Sequence, residues 1–144
     1  MINILTILTW TSKRGYLAHY ADDDSAKKAA TKLWNAIEGS GEITLLILMA
    51  ALTGIICWYY FFPFNKKSGR HYKPKWWWIF GGISIVVTFV ASFVTCYAIA
   101  KNPGFDTGLL IKVSVINAFY AAIFYAIVSM IINRTGKSNA YPYI

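Results

Sequence analysis

Acidic residues are the scarcest charged class in this sequence, with 6 Asp and Glu against 14 Lys and Arg. None of these acids, and neither His, lies within the three long apolar segments 43–62, 76–100 and 109–132. Intramembrane enzymes and proton-coupled transporters place ionisable groups inside the bilayer. Their absence from the three segments argues against both classes, and we expect the protein not to be an enzyme.

Cysteine is also sparse, and both copies lie inside apolar segments. Cys57 is near the end of the first segment and Cys96 is near the end of the second. Helices that alternate in direction would place the two thiols at opposite membrane faces, about 20 Å apart in depth at a rise of about 1.5 Å per residue. A disulfide requires Cα atoms within about 7 Å, so we expect two free thiols.

The abundant residues are apolar: 57% of the chain is hydrophobic, 17% is aromatic, and the mean hydropathy is +0.46. Such a composition is typical of membrane proteins. Segment 76–100 would be about 37 Å long as a helix, which is enough to cross a hydrocarbon core of about 30 Å. The sequence therefore predicts an all-α membrane protein. It has an interfacial and amphipathic segment at 1–42, three transmembrane helices within 43–132, and a tail at 133–144.

The N-terminal segment contains one clear helix signal. Segment 1–10 is apolar but too short to span, so we expect a helix at the interface or against the bundle. Segment 11–24 is predicted to be a loop. The acids 22–24 precede an Ala-rich stretch that ends at Gly39, which predicts a capped amphipathic helix with Trp34 reaching the headgroups. One of its faces carries Ala26, Ala30, Leu33 and Ile37, and another carries Lys27, Lys28 and Lys32.

Capping also explains the acids 22–24 without a metal, although His19 is nearby in the sequence. We therefore expect neither a metal site nor a cofactor. Asp106 or Thr107 is expected to cap the third transmembrane helix, since both precede its first apolar residues.

Small and polar residues form stripes on the apolar segments. On the second segment they recur at steps of three or four and share one helical face: Gly81, Ser84, Thr88, Ser92 and Thr95. Ala50 and Gly54 form a small-xxx-small pair on the first segment, and Ser114 and Asn117 follow the same spacing on the third. Small residues let helix backbones approach closely, so these positions are candidates for helix packing or for the lining of a pore.

Cations and tryptophans cluster before the second segment, and the loop 63–75 has no acid. We expect this cluster to contact anionic lipid headgroups at the interface; it consists of Lys66, Lys67, Arg70, Lys73, Lys75, Trp76, Trp77 and Trp78. Cations near the ends of spans favour the cytoplasmic side. The sequence therefore predicts a cell-membrane protein, of the bacterial inner membrane, with its N-terminus outside and its C-terminus in the cytoplasm.

Two functions fit these features. In the first, the protein is a structural or anchoring subunit that packs with itself or with other subunits in a larger membrane assembly, such as a secretion, transfer or injection machine. In the second, it is a pore-forming oligomer. The predicted architecture resembles that of the phage holins, a resemblance of topology and charge that no sequence motif carries. The bilayer and other membrane subunits are the expected partners, and nucleic acid is not.

Overall fold

The computed structural model describes residues 9, 11–38, 40–65, 74–100 and 106–134, and these residues form an all-helical membrane protein. Within the described residues from Thr11 onward, two short helices come first, and three long ones follow. Their bounds are α1 Lys13–Ala18, α2 Asp24–Ile37, α3 Ser40–Tyr59, α4 Pro74–Ala100 and α5 Thr107–Arg134. α5 packs against both α3 and α4, and α2 lies across one end of this bundle.

The three long helices are the membrane spans. The candidate spans are Gly41–Phe64, Lys75–Ala100 and Thr107–Ile132, which are long and apolar enough to cross a bilayer. Their outer surfaces expose large apolar side chains, including Ile47 at 64% and Val86 at 61%. Such side chains are compatible with lipid tails and would be unfavourable in water. The prediction of a three-span membrane protein is thereby confirmed.

The first span begins earlier than the sequence suggests. α3 starts at Ser40, so Glu42 lies in its first turn, where it is only 3% exposed. The prediction that no acid lies within a span is therefore wrong at this position. The predicted span began at Ile43, its first apolar residue. The helix begins earlier, and the dipole of its N-terminus stabilises the Glu42 carboxylate in the first turn.

The end of the first span is one turn of π-helix, Tyr60–Phe64, which contains Pro63. Proline has no N–H to donate to the preceding turn, so a regular α-helix cannot continue through this position. The Asn65 side-chain amide donates to the Tyr60 carbonyl oxygen and supplies a donor to this turn. Wider turns of this kind occur as single insertions at such points.

α1 occupies part of the segment predicted to be a loop, so that prediction is wrong for Lys13–Ala18. The Ser12 hydroxyl accepts a hydrogen bond from the Gly15 N–H at 3.2 Å and caps the helix. Tyr16 is buried against Trp34, with ring centroids 5.3 Å apart. A six-residue helix is unstable alone, so this tertiary contact, invisible in local sequence, stabilises it.

α2 has the predicted cap and the predicted faces. The Asp23 carboxylate accepts hydrogen bonds from the Ser25 N–H at 2.8 Å and the Ala26 N–H at 3.2 Å. Together with the Ser25 hydroxyl, these donors hold the pKa of Asp23 below its usual value. The apolar face packs on the bundle and buries Trp34 to 1% exposure, so the expected headgroup contact of Trp34 is wrong.

The core divides into two clusters at opposite ends of the bundle. The first joins α1 and α2 to the start of α5 and the end of α4, and it includes Tyr16, Trp34, Cys96 and Leu110. The second is aromatic and includes Cys57, Tyr60, Phe64, Trp77 and Tyr125. Cys57 and Cys96 thus lie in different clusters and are both free thiols, which confirms the prediction of no disulfide between them.

Candidate functional site

The polar stripe of α4 faces the other two spans. Ser84, Thr88 and Ser92 are fully buried between α4 and its neighbours. The stripe is less buried at its two ends. Gly81 lies against the Tyr125 ring, and the Thr95 hydroxyl donates back to the Ala91 carbonyl of its own helix at 2.8 Å.

Two sets of side-chain hydrogen bonds connect the three spans at this stripe. The Ser84 hydroxyl donates to the Thr53 hydroxyl of α3 at 3.1 Å. The Asn117 amide nitrogen on α5 donates to the Ser92 hydroxyl at 2.6 Å and to the Leu45 carbonyl of α3 at 3.3 Å. We call Thr53, Ser84, Thr88, Ser92 and Asn117 the polar seam. In hydrocarbon, such bonds fix which faces of the helices meet.

Two atoms of the polar seam have no hydrogen-bond partner among the described residues: the Thr88 hydroxyl oxygen and the Asn117 side-chain oxygen. Ser114, which shares the Asn117 face, donates to the Leu110 carbonyl of its own helix at 2.7 Å, and within the described spans it makes no hydrogen bond to another helix. The hydrogen-bonding groups of the polar seam are therefore only partly satisfied. Each buried group without a partner has a cost in stability, so close packing must also contribute to holding the spans together.

The small pair on α3 lies outside this seam. Ala50 and Gly54 are half-buried, and a Cβ added at Gly54 would meet no atom within 4 Å. The neighbouring Ala51 is exposed, as are Ile47 and Trp58. In the described part of the chain, therefore, no neighbouring helix packs closely on Gly54 of this small pair.

Gly81 and Gly82 offer a matched test of close packing on α4. A Cβ at Gly81 would lie 3.3 Å from a Tyr125 ring carbon, whereas a Cβ at Gly82 would meet nothing within 4 Å. The Tyr125 ring cannot move freely, because its hydroxyl donates to the Trp77 carbonyl at 3.2 Å. We expect Gly81→Ala to destabilise the bundle by about 1 kcal/mol. Gly82→Ala should be neutral or stabilising by up to about 1 kcal/mol. Equal melting temperatures of the two variants in detergent micelles would contradict this packing.

The predicted headgroup cluster is described only in part. Lys66, Lys67, Arg70 and Lys73 lie outside the described residues. Lys75 is exposed, with its ammonium 5.4 Å from the centre of the Trp76 ring. Trp78 is 61% exposed, whereas Trp77 is buried and donates its indole N–H to the Ser129 hydroxyl at 3.2 Å. The three consecutive tryptophans thus divide between the helix interface and the outer surface.

A polar pocket lies between the start of α5 and residues 11–20, the segment that contains α1. We call it the interfacial pocket; its volume is about 220 Å³, and its polar lining residues are Thr11, Tyr16, His19, Tyr20, Asp106 and Lys112. One carboxylate oxygen of Asp106 accepts from the Leu109 N–H at 3.1 Å, which confirms the predicted cap. The other accepts from the Tyr16 and Tyr20 hydroxyls at 2.8 and 3.0 Å.

The electrostatics of the interfacial pocket follow from these bonds. Burial is the main cause that raises the pKa of Tyr16 and of Tyr20, and the hydrogen bond to Asp106 is the second cause. Both hydroxyls therefore remain protonated donors. The Lys112 ammonium donates to the Thr11 hydroxyl at 2.5 Å. Sequence reasoning missed the two tyrosines, because they lie 86 and 90 positions from Asp106 and no local pattern connects them.

An apolar groove between α4 and α5 opens on the outer surface of the bundle. Its volume is about 380 Å³, and the residues that define it are Ile85, Val86, Phe89, Val115, Phe119 and Ala122. Ala118 also lines the groove and is itself only 4% exposed. The groove therefore presents an apolar channel to the lipid at the level of the spans.

Comparison of this chain with protein-family models, with curated proteins and with solved structures gives no match.

Proposed function

We propose that the protein is a small structural subunit that packs, with itself or with other membrane proteins, into a larger membrane assembly of the secretion, transfer or injection type. Its role is anchoring and it is not catalytic. The observation that carries this proposal is the open position of Gly54 in the small pair on α3. Gly54 and Ala50 stand one helical turn apart, and no atom of the described chain lies where a Gly54 Cβ would contact it.

This pair supports intermolecular packing because of how helices associate in lipid. Lipid tails are as apolar as leucine, so burial from water does not drive association, and close backbone approach does. Gly82 is also exposed and open, but its neighbours four positions away are Trp78 and Val86, which are large. Of these two open glycines, only Gly54 belongs to a small-xxx-small pair. The face of α3 that carries Ala50 and Gly54 is therefore the better candidate interface.

The alternative of a pore-forming oligomer has less support from the same geometry. A pore lined by the α4 stripe requires Ser84, Thr88 and Ser92 to face water. In the described chain all three are fully buried, and two of them hold hydrogen bonds to neighbouring helices. The three spans would have to separate before this stripe lined an aqueous path.

Gly54→Leu tests the proposed assembly. We expect the unaltered chain to purify as an oligomer or together with other membrane subunits, and the variant to lose these partners, because leucine prevents close approach to α3. The variant should not be destabilised as a monomer, since a Cβ at this position meets no atom of the described residues within 4 Å. The measurement is crosslinking in native membranes followed by purification in mild detergent.

Gly82→Leu is the matched control, because it adds the same bulk at an open glycine on another span. It should leave the assembly intact. Loss of assembly in both variants, or in neither, would contradict the proposed interface on α3.

We also propose that the N-terminus lies outside and the C-terminus in the cytoplasm. The support is the sequence of loop 63–75, which has five cations and no acid. Ser68→Cys should resist an impermeant thiol reagent in intact cells and react after lysis. Gly104→Cys should react in intact cells. The opposite labelling pattern would reverse this orientation.

A further inference from the structure

The interfacial pocket and the apolar groove lie on one face of α5. Lys112 lines the pocket, and Val115 and Phe119 line the groove. Steps of three and four residues place these three side chains on the same side of the helix. At a rise of about 1.5 Å per residue, Phe119 is about 10 Å further along the span than Lys112. A polar cavity at the start of the span is thus followed by an apolar one deeper in it.

The charges of the interfacial pocket are of both signs. The Asp106 carboxylate accepts three hydrogen bonds from neutral donors, and it forms no ion pair within the described part of the chain. The Lys112 ammonium is exposed, and its hydrogen bond goes to the neutral Thr11 hydroxyl. A ligand that carries an anion and a cation a few atoms apart would complement both groups.

We propose that this face of α5 binds one ethanolamine phospholipid of the bilayer. The lipid phosphate binds the Lys112 ammonium, and the ethanolamine ammonium of the lipid binds the Asp106 carboxylate. One acyl chain lies in the apolar groove along Val115 and Phe119. This inference does not depend on the proposed assembly, because the small pair on α3 takes no part in it.

The same contacts determine which headgroup binds best. An ethanolamine ammonium has N–H groups to donate to Asp106, and such charge-assisted bonds are stronger than neutral ones. A choline headgroup carries the same charge without N–H donors and is left with contacts to the tyrosine rings. A glycerol headgroup has no cation to pair with Asp106, so the carboxylate repels the net negative charge of the lipid. We therefore expect ethanolamine lipids to bind more tightly than choline lipids, and glycerol lipids to bind least.

Native mass spectrometry of the full-length chain, with equal amounts of the three lipid classes added to the micelles, tests this order. Ethanolamine lipid should be retained preferentially. Lys112→Gln should weaken its retention about tenfold, since a charge-assisted hydrogen bond is lost. Ala122→Leu should weaken it by filling the groove, and Asp106→Asn should abolish the preference over choline lipid. Two exposed side chains away from the site provide the controls, Lys27→Gln on α2 and Ile127→Leu on α5, and both should retain lipid normally.

Several results would overturn the proposal. Equal retention of the three lipids, or unchanged retention in Lys112→Gln, would exclude a headgroup site here. A headgroup effect without any effect of Ala122→Leu would exclude a lipid that fills both cavities. Soluble phosphoethanolamine is the last arm: if it displaces the lipid at equal concentration, the ligand is a free phosphate ester and not a membrane lipid. Because Lys112 is exposed, its variant should remain folded even if Asp106→Asn does not.

Discussion

Ser92→Leu is expected to destabilise the three-helix bundle by about 1–3 kcal/mol through overpacking alone. Ser92 is fully buried where α4 meets the other two spans, so a leucine side chain has no open space to enter. The substitution also removes the hydroxyl that accepts from the Asn117 amide at 2.6 Å. Loss of an interhelical hydrogen bond adds about 0.6 kcal/mol, and about 1.7 kcal/mol at most. Reversible unfolding in mixed detergent micelles measures the sum.

Two matched variants separate bulk from hydrogen bonding. Ser92→Ala removes only the hydroxyl and should cost about 0.6 kcal/mol. Val90→Leu adds bulk on the outer surface, where Val90 is 53% exposed, and should change stability little. If Ser92→Leu melted like the unaltered protein, while Ser92→Cys reacted rapidly with a water-soluble thiol reagent and altered ion flux in vesicles, the seam would face water. That result would favour the pore.

Local patterns were sufficient to predict the long helices and the faces of α4. Three apolar runs longer than a bilayer core can form only helices that satisfy their own backbone groups in lipid. The spacing of Ser84, Thr88 and Ser92 places them on one side of α4, and a stripe of this kind has no use against lipid tails. Such inferences need only the helical period and the thickness of the membrane.

The parts that sequence reasoning missed depend on contacts between distant segments. α1 is too short to form by helix propensity, and it is stabilised by the contact of Tyr16 with Trp34. Trp34 was expected to reach the headgroups because its helix is amphipathic, but α2 turns that side toward the bundle. Glu42 was placed outside the span because the span was counted from its first apolar residue. Apolar composition does not indicate that the dipole of a helix N-terminus stabilises a carboxylate there.

Asp106 shows which contacts local sequence patterns can predict and which they cannot. Its position before an apolar run predicted a helix cap, and its carboxylate does accept from the Leu109 N–H. Nothing in the local sequence predicted that the same carboxylate would also accept from Tyr16 and Tyr20. One acidic side chain therefore holds the start of the third span and the first helix of the chain together.

Asp106→Ala is accordingly expected to release α1 from the bundle and to lower stability by about 3 kcal/mol. The lost cap contributes about 1 kcal/mol. A hydrogen bond to a charged group contributes about 1.5–3 kcal/mol. The Tyr16 bond should contribute most of the remainder, because Tyr16 is only 7% exposed and its hydroxyl would lose its acceptor. The Tyr20 hydroxyl is nearer the solvent and should contribute less.

Limited trypsin digestion in micelles measures the release of α1 directly, since Lys13 and Arg14 lie in its first turn. We expect these bonds to be cleaved faster in Asp106→Ala than in the unaltered chain. Tyr16→Phe should produce part of the same increase, because it removes the donor and leaves the cap in place. Asp106→Asn keeps one amide oxygen to accept from the Leu109 N–H and presents its amide nitrogen, a donor, to the tyrosine oxygens, so its effect should be smaller than that of alanine. If Asp106→Ala lowered the melting temperature without any change in cleavage at Lys13 and Arg14, Asp106 would act as a cap alone. The attachment of α1 would then depend on its other contacts, which include the contact between the Tyr16 and Trp34 rings and the bonds of Lys13 to Asn35 and Glu38.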